Sequence, residues 1–365
     1  MKFSASREAI LEPLQAVIGV VERRQTMPIL SNVLLALAGK KLSITATDLE
    51  VELVAQSDVA GESGGEVTVP GRKLHDICRA LPPGSKVDIN VAGERLSLKA
   101  GRSRFTLSTL KAGDFPTIDD IAAQHSFVVP QTDLHKLLTR TQFSMAQQDV
   151  RYYLNGLLLE TGGKTLRAVA TDGHRLALAE IELANKVAKE SQVIVPRKGV
   201  LELNRLLETE GDLNVSLGAS HIRVDKASLR LTSKLIDGRF PEYQRVIPKS
   251  PTSALKADRD ALREALQRTA ILSNEKYRGV RLELSSNSVT MQANNPEQEE
   301  AIETLEVEYS GSAMEIGFNV NYLLDALGAI ESSQVEIGLT DSNSSCLIVA
   351  PGDTHTKYVV MPMRL

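Results

Sequence analysis

Apolar and polar residues follow two rhythms along this chain, and the rhythms succeed one another in the same order three times. Asn155-Gly156-Leu157-Leu158-Leu159 and Lys164-Thr165-Leu166-Arg167-Ala168-Val169 read as two strands of a hairpin. Asn32 to Leu37 with Lys41 to Asp48 forms an earlier copy, and Gly279 to Leu284 with Val289 to Asn295 a later one. Ala46, Ala170 and Ala293 hold matching places, 124 and 123 residues apart. Phe115-Pro116, Phe240-Pro241 and Met361-Pro362 close the copies, while Val69-Pro70, Val195-Pro196 and Phe318-Asn319 each precede a helical pattern. Solenoid repeats are far shorter, roughly 20–50 residues. The period therefore predicts a whole domain present three times.

Each copy opens with helical spacing: Ile10, Leu11, Leu14 and Val17; Leu134, Leu137 and Leu138; Ala261, Leu262, Ala265 and Leu266. The predicted first helices cover 7–24, 131–141 and 259–270, and the second ones 71–81, 197–208 and 319–330. Short alternating runs such as Val87 to Val91 and Arg95 to Lys99 add strands. Polar or Pro-containing joints near 119–125 and 249–252 separate the copies. The expected fold is α+β: three tandem copies of one domain, at 1–122, 123–250 and 251–365, each with two helices packed on antiparallel sheets. Within each copy the succession of strand, helix and strands occurs twice.

At 365 residues and 42% hydrophobic, the chain can give each copy a core. A net charge of -4 gives no general support for nucleic-acid binding. The helical windows nevertheless hold more Lys and Arg than Asp and Glu, and the remainder holds the reverse. Arg72, Lys73, Arg79, Lys136, Arg140, Arg197, Lys198, Arg205, Arg263 and Arg268 carry this bias. Solvated faces of amphipathic helices explain such charge one helix at a time. If the six helices share one surface, that surface attracts polyanions; the last window, with only Asp325, departs from the trend. Cys78 and Cys346 read as core residues of a reducing compartment rather than a disulfide. No signal-peptide pattern or long apolar run is present, so a cytoplasmic chain without membrane attachment is expected.

Phosphate-cradling loops, paired metal-ligand histidines and Cys-x-x-Cys are missing from the sequence. A nucleotide- or phosphate-processing enzyme would have to rely on Asp48 and Asp172, yet the third copy carries Asn294-Asn295 there. Thr171 and Asp172 fit better as turn formers, and Asp172, His174 and Ser233 lack a nucleophile elbow. No catalytic residue, metal or cofactor is expected.

Function should sit where the copies differ. Tyr152 and Tyr153 are adjacent, so on an extended strand they cannot both face the core. One is expected at the surface, for base stacking, for peptide packing, or as an ordinary surface tyrosine. The tail from Val359 to Leu365 is apolar almost throughout, which predicts anchoring in a groove or strand. Leu154, Leu176, Pro241, Val246, Val359 and Met361, brought together, would form an apolar cleft rimmed by Arg151, Arg175, Arg245 and Arg364 and suited to a short extended peptide; a mere structural seal at the junction of the second and third copies is the alternative. The basic run Gly101 to Leu110 and the acids Glu297, Glu299, Glu300 and Glu303 suggest head-to-tail association, which closes into a ring if the geometry permits; unrelated surface charge is the alternative.

Six strings carry a resemblance: Ser144 to Gly156, Ala170 to Leu176, Val195 to Gly199, Ile271 to Lys276, Ala293 to Glu300 and Met361 to Leu365. In these, and in their order, the chain resembles over its full length the beta sliding clamp family, the processivity subunits of bacterial DNA polymerase III. The resemblance implies a DNA clamp fold: a head-to-tail homodimeric ring with helices inside. It further implies non-specific binding of duplex DNA and no catalysis. Partners would be the polymerase III catalytic subunit, the clamp loader and other polymerases and repair proteins, docking through short linear peptides. The implied peptide pocket comprises Arg151, Tyr153, Leu154, Thr171, Gly173, His174, Arg175, Leu176, Pro241, Arg245 and Val246, completed by Asn319, Tyr322, Asn343, Ser345, Val359, Met361, Pro362, Met363 and Arg364. Asn343 stands where an apolar residue is expected. Implied DNA contacts are Arg24, Gln148, Tyr152 and Tyr153, to which helix charge adds Arg72, Lys73, Arg79, Arg197 and Lys198. The implied interface sets Arg102, Arg104, Phe105 and Leu107 against Ile271, Leu272, Glu297, Glu299, Glu300 and Glu303.

Overall fold

The computed structural model describes residues 1–21, 27–118, 121–187 and 189–364. Six helices are present among them: α1 (Arg7–Val17), α2 (Gly71–Ala80), α3 (Gln131–Thr139), α4 (Arg197–Leu206), α5 (Arg259–Ala270) and α6 (Val320–Ala329). Each follows directly on a strand, twice per copy as the pattern predicts. Polar caps start three of them: Ser6 accepts from the Ala9 amide, Asp258 from Ala261 and Asn319 from Asn321. The first helix is shorter than predicted. It contains Pro13, which cannot donate within the helix, and it ends at Val17. Beyond it Val20 and Val21 are buried, and the Arg205 guanidinium caps the carbonyls of Gln15 (3.3 Å) and Ala16 (2.6 Å).

The chain divides into two compact units, Met1–Thr132 with Leu201–Leu235 and Asp133–Val200 with Ile236–Leu365. The first holds antiparallel sheets of five and eight strands, the second sheets of nine and four. The three-fold repeat predicts sheets for each copy, but the two large sheets are shared between copies. In the first unit Val51–Asp58 pairs with Leu229–Lys234, with Val51 opposite Ser233. In the second Arg175–Glu182 pairs with Thr356–Val360, with Arg175 opposite Val360. A strand edge left open would expose unpaired amides, and the next copy covers it. Leu262, Leu266, Phe318, Leu323 and Tyr358 belong to one buried core that joins α5, α6 and the two sheets of the second unit. Cys78 and Cys346 are buried and free, as expected of core residues.

Candidate functional site

Thr171 ends one strand and Arg175 begins the next, so the chain must reverse in three residues. Two side chains make that possible. The Thr171 hydroxyl accepts from the Gly173 amide (3.1 Å) and donates to the Arg175 carbonyl (2.6 Å). Asp172 Oδ1 accepts from the amides of His174 (2.9 Å) and Arg175 (3.0 Å). Gly173 has φ +91°, which glycine adopts without strain, and a Cβ there would stand 2.8 Å from the Arg151 guanidinium. Both residues serve the turn, as the sequence suggests. Ser233 is buried and its hydroxyl donates to the Lys234 carbonyl, an ordinary core serine.

Arg175 was expected at the rim of a cleft, but its side chain is only 13% exposed. The guanidinium bonds Asp172 Oδ2 (3.1 Å), Asp325 and the Phe143 carbonyl (2.7 Å), and it lies 4.5 Å from the Tyr322 ring centroid. It therefore acts as a staple that ties the turn to α6. Replacing it with alanine strands two acids and should cost roughly 2–4 kcal/mol. A denaturant titration checks this, and Arg175→Lys should recover little because lysine cannot supply the planar fork.

The neighbouring loop is equally fixed. Asn155 brackets Asp149, accepting from its amide (2.9 Å) and donating to its carbonyl (2.8 Å). Arg151 clasps the Asp149 carboxylate at 2.8 and 3.0 Å, which pulls that carboxyl down to about 2. The bracket bends the chain, so Tyr152–Leu154 is a single 3-10 turn and not the extended strand assumed from sequence. One tyrosine is exposed as expected: Tyr152 is 58% exposed, while Tyr153 is half-buried.

Loop, turn and tail meet at a cavity of about 190 Å³. Its wall comprises Arg151, Tyr153, Leu154, Thr171, Gly173, His174, Arg175, Leu176, Pro241, Val246, Val359 and Met361, together with Glu242 and Tyr243. Leu154, Leu176 and Val359 are buried, while Val246 (40%) and Met361 (39%) stay exposed. The tail is anchored as expected: the Met361 amide donates to the His174 carbonyl (2.9 Å) and Met363 to Gly317 (2.8 Å). Sequence reasoning missed Tyr243. Its hydroxyl bonds Glu160 and accepts from Arg167 (2.9 Å), and burial pushes it up to about 12. Only the Phe240-Pro241 closing mark pointed toward it.

Other residues of the expected pocket lie outside this wall. Asn319 caps α6, and Tyr322 stacks on Arg175. Asn343 is exposed in a turn closed by Asp341, Ser345, Pro362 and Met363 are half-buried, and Arg364 is exposed. Arg245 is exposed, paired with Glu242, and lines a neighbouring depression.

Of the expected DNA contacts, Arg24 lies outside the described residues. In the first unit Lys73 and Arg79 are exposed, Arg79 pairs with Asp76 (3.1 Å), and Arg72 donates to the Val21 carbonyl (3.0 Å). In the second unit Gln148 and Tyr152 are exposed, Lys198 is half-buried, and Arg197 donates to the Met145 carbonyl (3.3 Å). Two cations of the expected helical bias are diverted: Arg205 caps α1, and Arg268 pairs with Glu303 (2.7 Å).

The expected interface residues fall on or just before two strands at sheet edges, except Ile271 and Leu272, which follow α5. Arg102 precedes Ser103–Ser108, the last strand of the five-stranded sheet, and Arg104 is exposed on it; Phe105 is half-buried and Leu107 buried. Glu300–Glu306 is an end strand of the four-stranded sheet and follows Glu297 and Glu299. Ile271 is 75% exposed and Leu272 half-buried. Glu303, already held by Arg268, is less available than its neighbours.

The DNA polymerase III beta subunit matches this chain in three consecutive parts: its N-terminal domain over residues 1–119, its central domain over 128–242 and its C-terminal domain over 244–364. The beta sliding clamp of Pseudomonas putida is 56% identical over 367 residues, covering 100% of both chains. The chain belongs to the beta sliding clamp family. The crystal structure of DNA polymerase III subunit beta from Pseudomonas aeruginosa superposes with a TM-score of 0.97 at 56% identity, covering 100% of both chains. A sliding clamp from the same organism, solved bound to griselimycin, gives 0.96 at 56% identity over the same full coverage.

The clamp is thus three tandem copies of one α+β domain. It serves DNA replication as a processivity clamp, a non-catalytic subunit working with DNA and a polymerase. Among the described residues no group of His, Cys, Asp and Glu could hold a metal ion, and no helix is long and apolar enough to cross a membrane.

Proposed function

We propose that two copies of this clamp close head to tail into a ring around duplex DNA. The domains are taken as 1–122, 123–250 and 251–365. In this reading the cleft beside Thr171–Arg175 receives short peptides from the polymerase catalytic subunit, the clamp loader and other polymerases and repair proteins. The residues beyond its wall, from Asn319 and Tyr322 to Arg364, extend the site along the surface. Griselimycin bound to a related clamp fits a family whose members accept ligands.

The observation that supports the ring is the presence of two unlike open edges. One terminal strand presents Arg104, with Arg102 just before it, and another presents Glu300, with Glu297 and Glu299 just before it; Ile271 is exposed at the end of α5, which packs on that second strand. Unpaired backbone groups on both edges can complete a sheet across the contact, and opposite charges select the heterologous partner over self-pairing. Sedimentation at several concentrations tests it. Reversing Arg102 and Arg104 to glutamate should weaken the dimer, by an amount that shrinks as salt rises. Leu272→Ala should weaken it by roughly 1–2 kcal/mol with little salt dependence, because apolar area is lost. If both variants sediment like the parent at micromolar concentration, the interface lies elsewhere.

A further inference from the structure

The first unit contains a second turn built on the same plan. Thr47 Oγ1 accepts from the Leu49 amide (3.1 Å), and Asp48 Oδ1 accepts from Glu50 (2.9 Å) and Val51 (2.7 Å). The Lys234 amide donates to the Glu50 carbonyl (2.8 Å), just as Met361 donates to His174 (2.9 Å). Beside this turn opens a cavity of about 560 Å³, walled in part by Thr47, Leu49, Pro116, Ile118, His221 and Lys234. By the repeat, Thr47, Leu49, Pro116 and Lys234 stand for Thr171, Gly173, Pro241 and Met361.

The frame is shared but the chemistry differs. Lys234 replaces an apolar wall residue, and it has no carboxylate partner among the described residues. Of the described acids nearby, Asp48 holds the turn, and buried Glu52, in the place of Leu176, accepts from the Ile118 amide (2.9 Å) with Arg223 and Arg230 close by. His221 Nδ1 lies 2.9 Å from the Ser220 hydroxyl; burial, with Lys234 and Arg223, holds the imidazole below its usual range and favours the neutral form. Leu49 adopts φ +77°, where the other turn has Gly173 at +91°, and it remains 37% exposed at the mouth. An L-residue enters that conformation at a cost, and here the cost places an apolar side chain in solvent.

We propose that this cavity is a second, distinct peptide cleft, which takes an extended segment carrying an aliphatic side chain followed by a carboxylate. The aliphatic group packs on Leu49, Pro116 and Ile118. The carboxylate meets Lys234, with Ser220 and His221 in reach as further polar partners. This inference rests on the reading of the Thr171–Arg175 cleft as a peptide site, from which it takes the frame.

The test is a fluorescence-anisotropy titration of the full chain with two labelled hexapeptides, one holding a leucine followed by two aspartates and one holding leucine and phenylalanine without acids. The acidic probe should bind saturably, weaken at least about tenfold with Lys234→Glu, and weaken again with Leu49→Gly. Leu49→Gly should fold normally, because glycine adopts this turn without strain. Removing Met361 to Leu365 should abolish binding of the apolar probe and spare the acidic one. Acidic-probe binding indifferent to both variants overturns the proposal. So does a flat titration to millimolar concentration. Apolar-probe binding indifferent to the tail removal overturns the main cleft instead, so the two failures are distinguishable.

Discussion

On a closed circular duplex the clamp should persist for many times longer than on a linear duplex of the same sequence, although its equilibrium affinity for either is weak. The chain carries a net charge of -4, so its cations act only locally. Several of them are also committed inside the protein: Arg205 to the end of α1, Arg268 to Glu303, and Arg72 and Arg197 to backbone carbonyls. That leaves few phosphate contacts per subunit. Each contributes a slope of about -0.9 to log K against log salt, so binding to a linear molecule should fade quickly between low and physiological salt. Such contacts hold no sequence information and permit sliding. Retention on a circle must then come from enclosure, and escape requires the ring to open. Gel filtration of loaded circles over time measures it, and cutting the circle once should release the clamp within the time needed to slide to an end. Equal loss from cut and uncut DNA would remove enclosure from the account.

Much of this molecule could be read before folding, and the unread part has a physical cause. The repeat and the two periodicities placed all six helices, because each has an apolar stripe and a strand leading directly into it. The turn at Thr171 and Asp172 was legible because Thr and Asp close turns through their own side chains. Periodicity could not show that Val51–Asp58 and Arg175–Glu182 take partners from the following copy. A strand's pattern records which face is buried, and it says nothing of which strand lies alongside. The fate of Arg175 was hidden for a similar reason. Its partners Phe143, Tyr322 and Asp325 are distant in sequence, and a charged residue beside a turn looks the same whether it reaches solvent or a neighbouring helix. Tyr153 and Leu154 line the cavity through a bend, braced by Asn155, that periodicity does not show.

Removal of Met361 to Leu365 should abolish peptide binding while leaving the fold nearly intact. Val359 and Val360, the last residues of the nine-stranded sheet, are buried and stay in place. What leaves is a strip in which Met361 and Arg364 are exposed and Pro362 and Met363 only half-buried. Two backbone hydrogen bonds go with it, to His174 and Gly317, a loss of about 1–2 kcal/mol in all. The effect on the cleft is larger, because Met361, alone among the described residues removed, lines its wall, together with Val246 and Leu176. Without it the floor is open to water and a leucine or phenylalanine anchor loses much of its contact, worth roughly 2–3 kcal/mol or about 30- to 150-fold in affinity. Met361→Ala should reproduce about half of that in free energy with the backbone bonds kept. Calorimetric titration with a polymerase-derived peptide gives the affinity, and scanning calorimetry gives the melting temperature. A structural seal would show the opposite pattern, with a melting temperature lowered by many degrees or an insoluble chain. Unchanged affinity in a well-folded truncation would exclude the tail from the site.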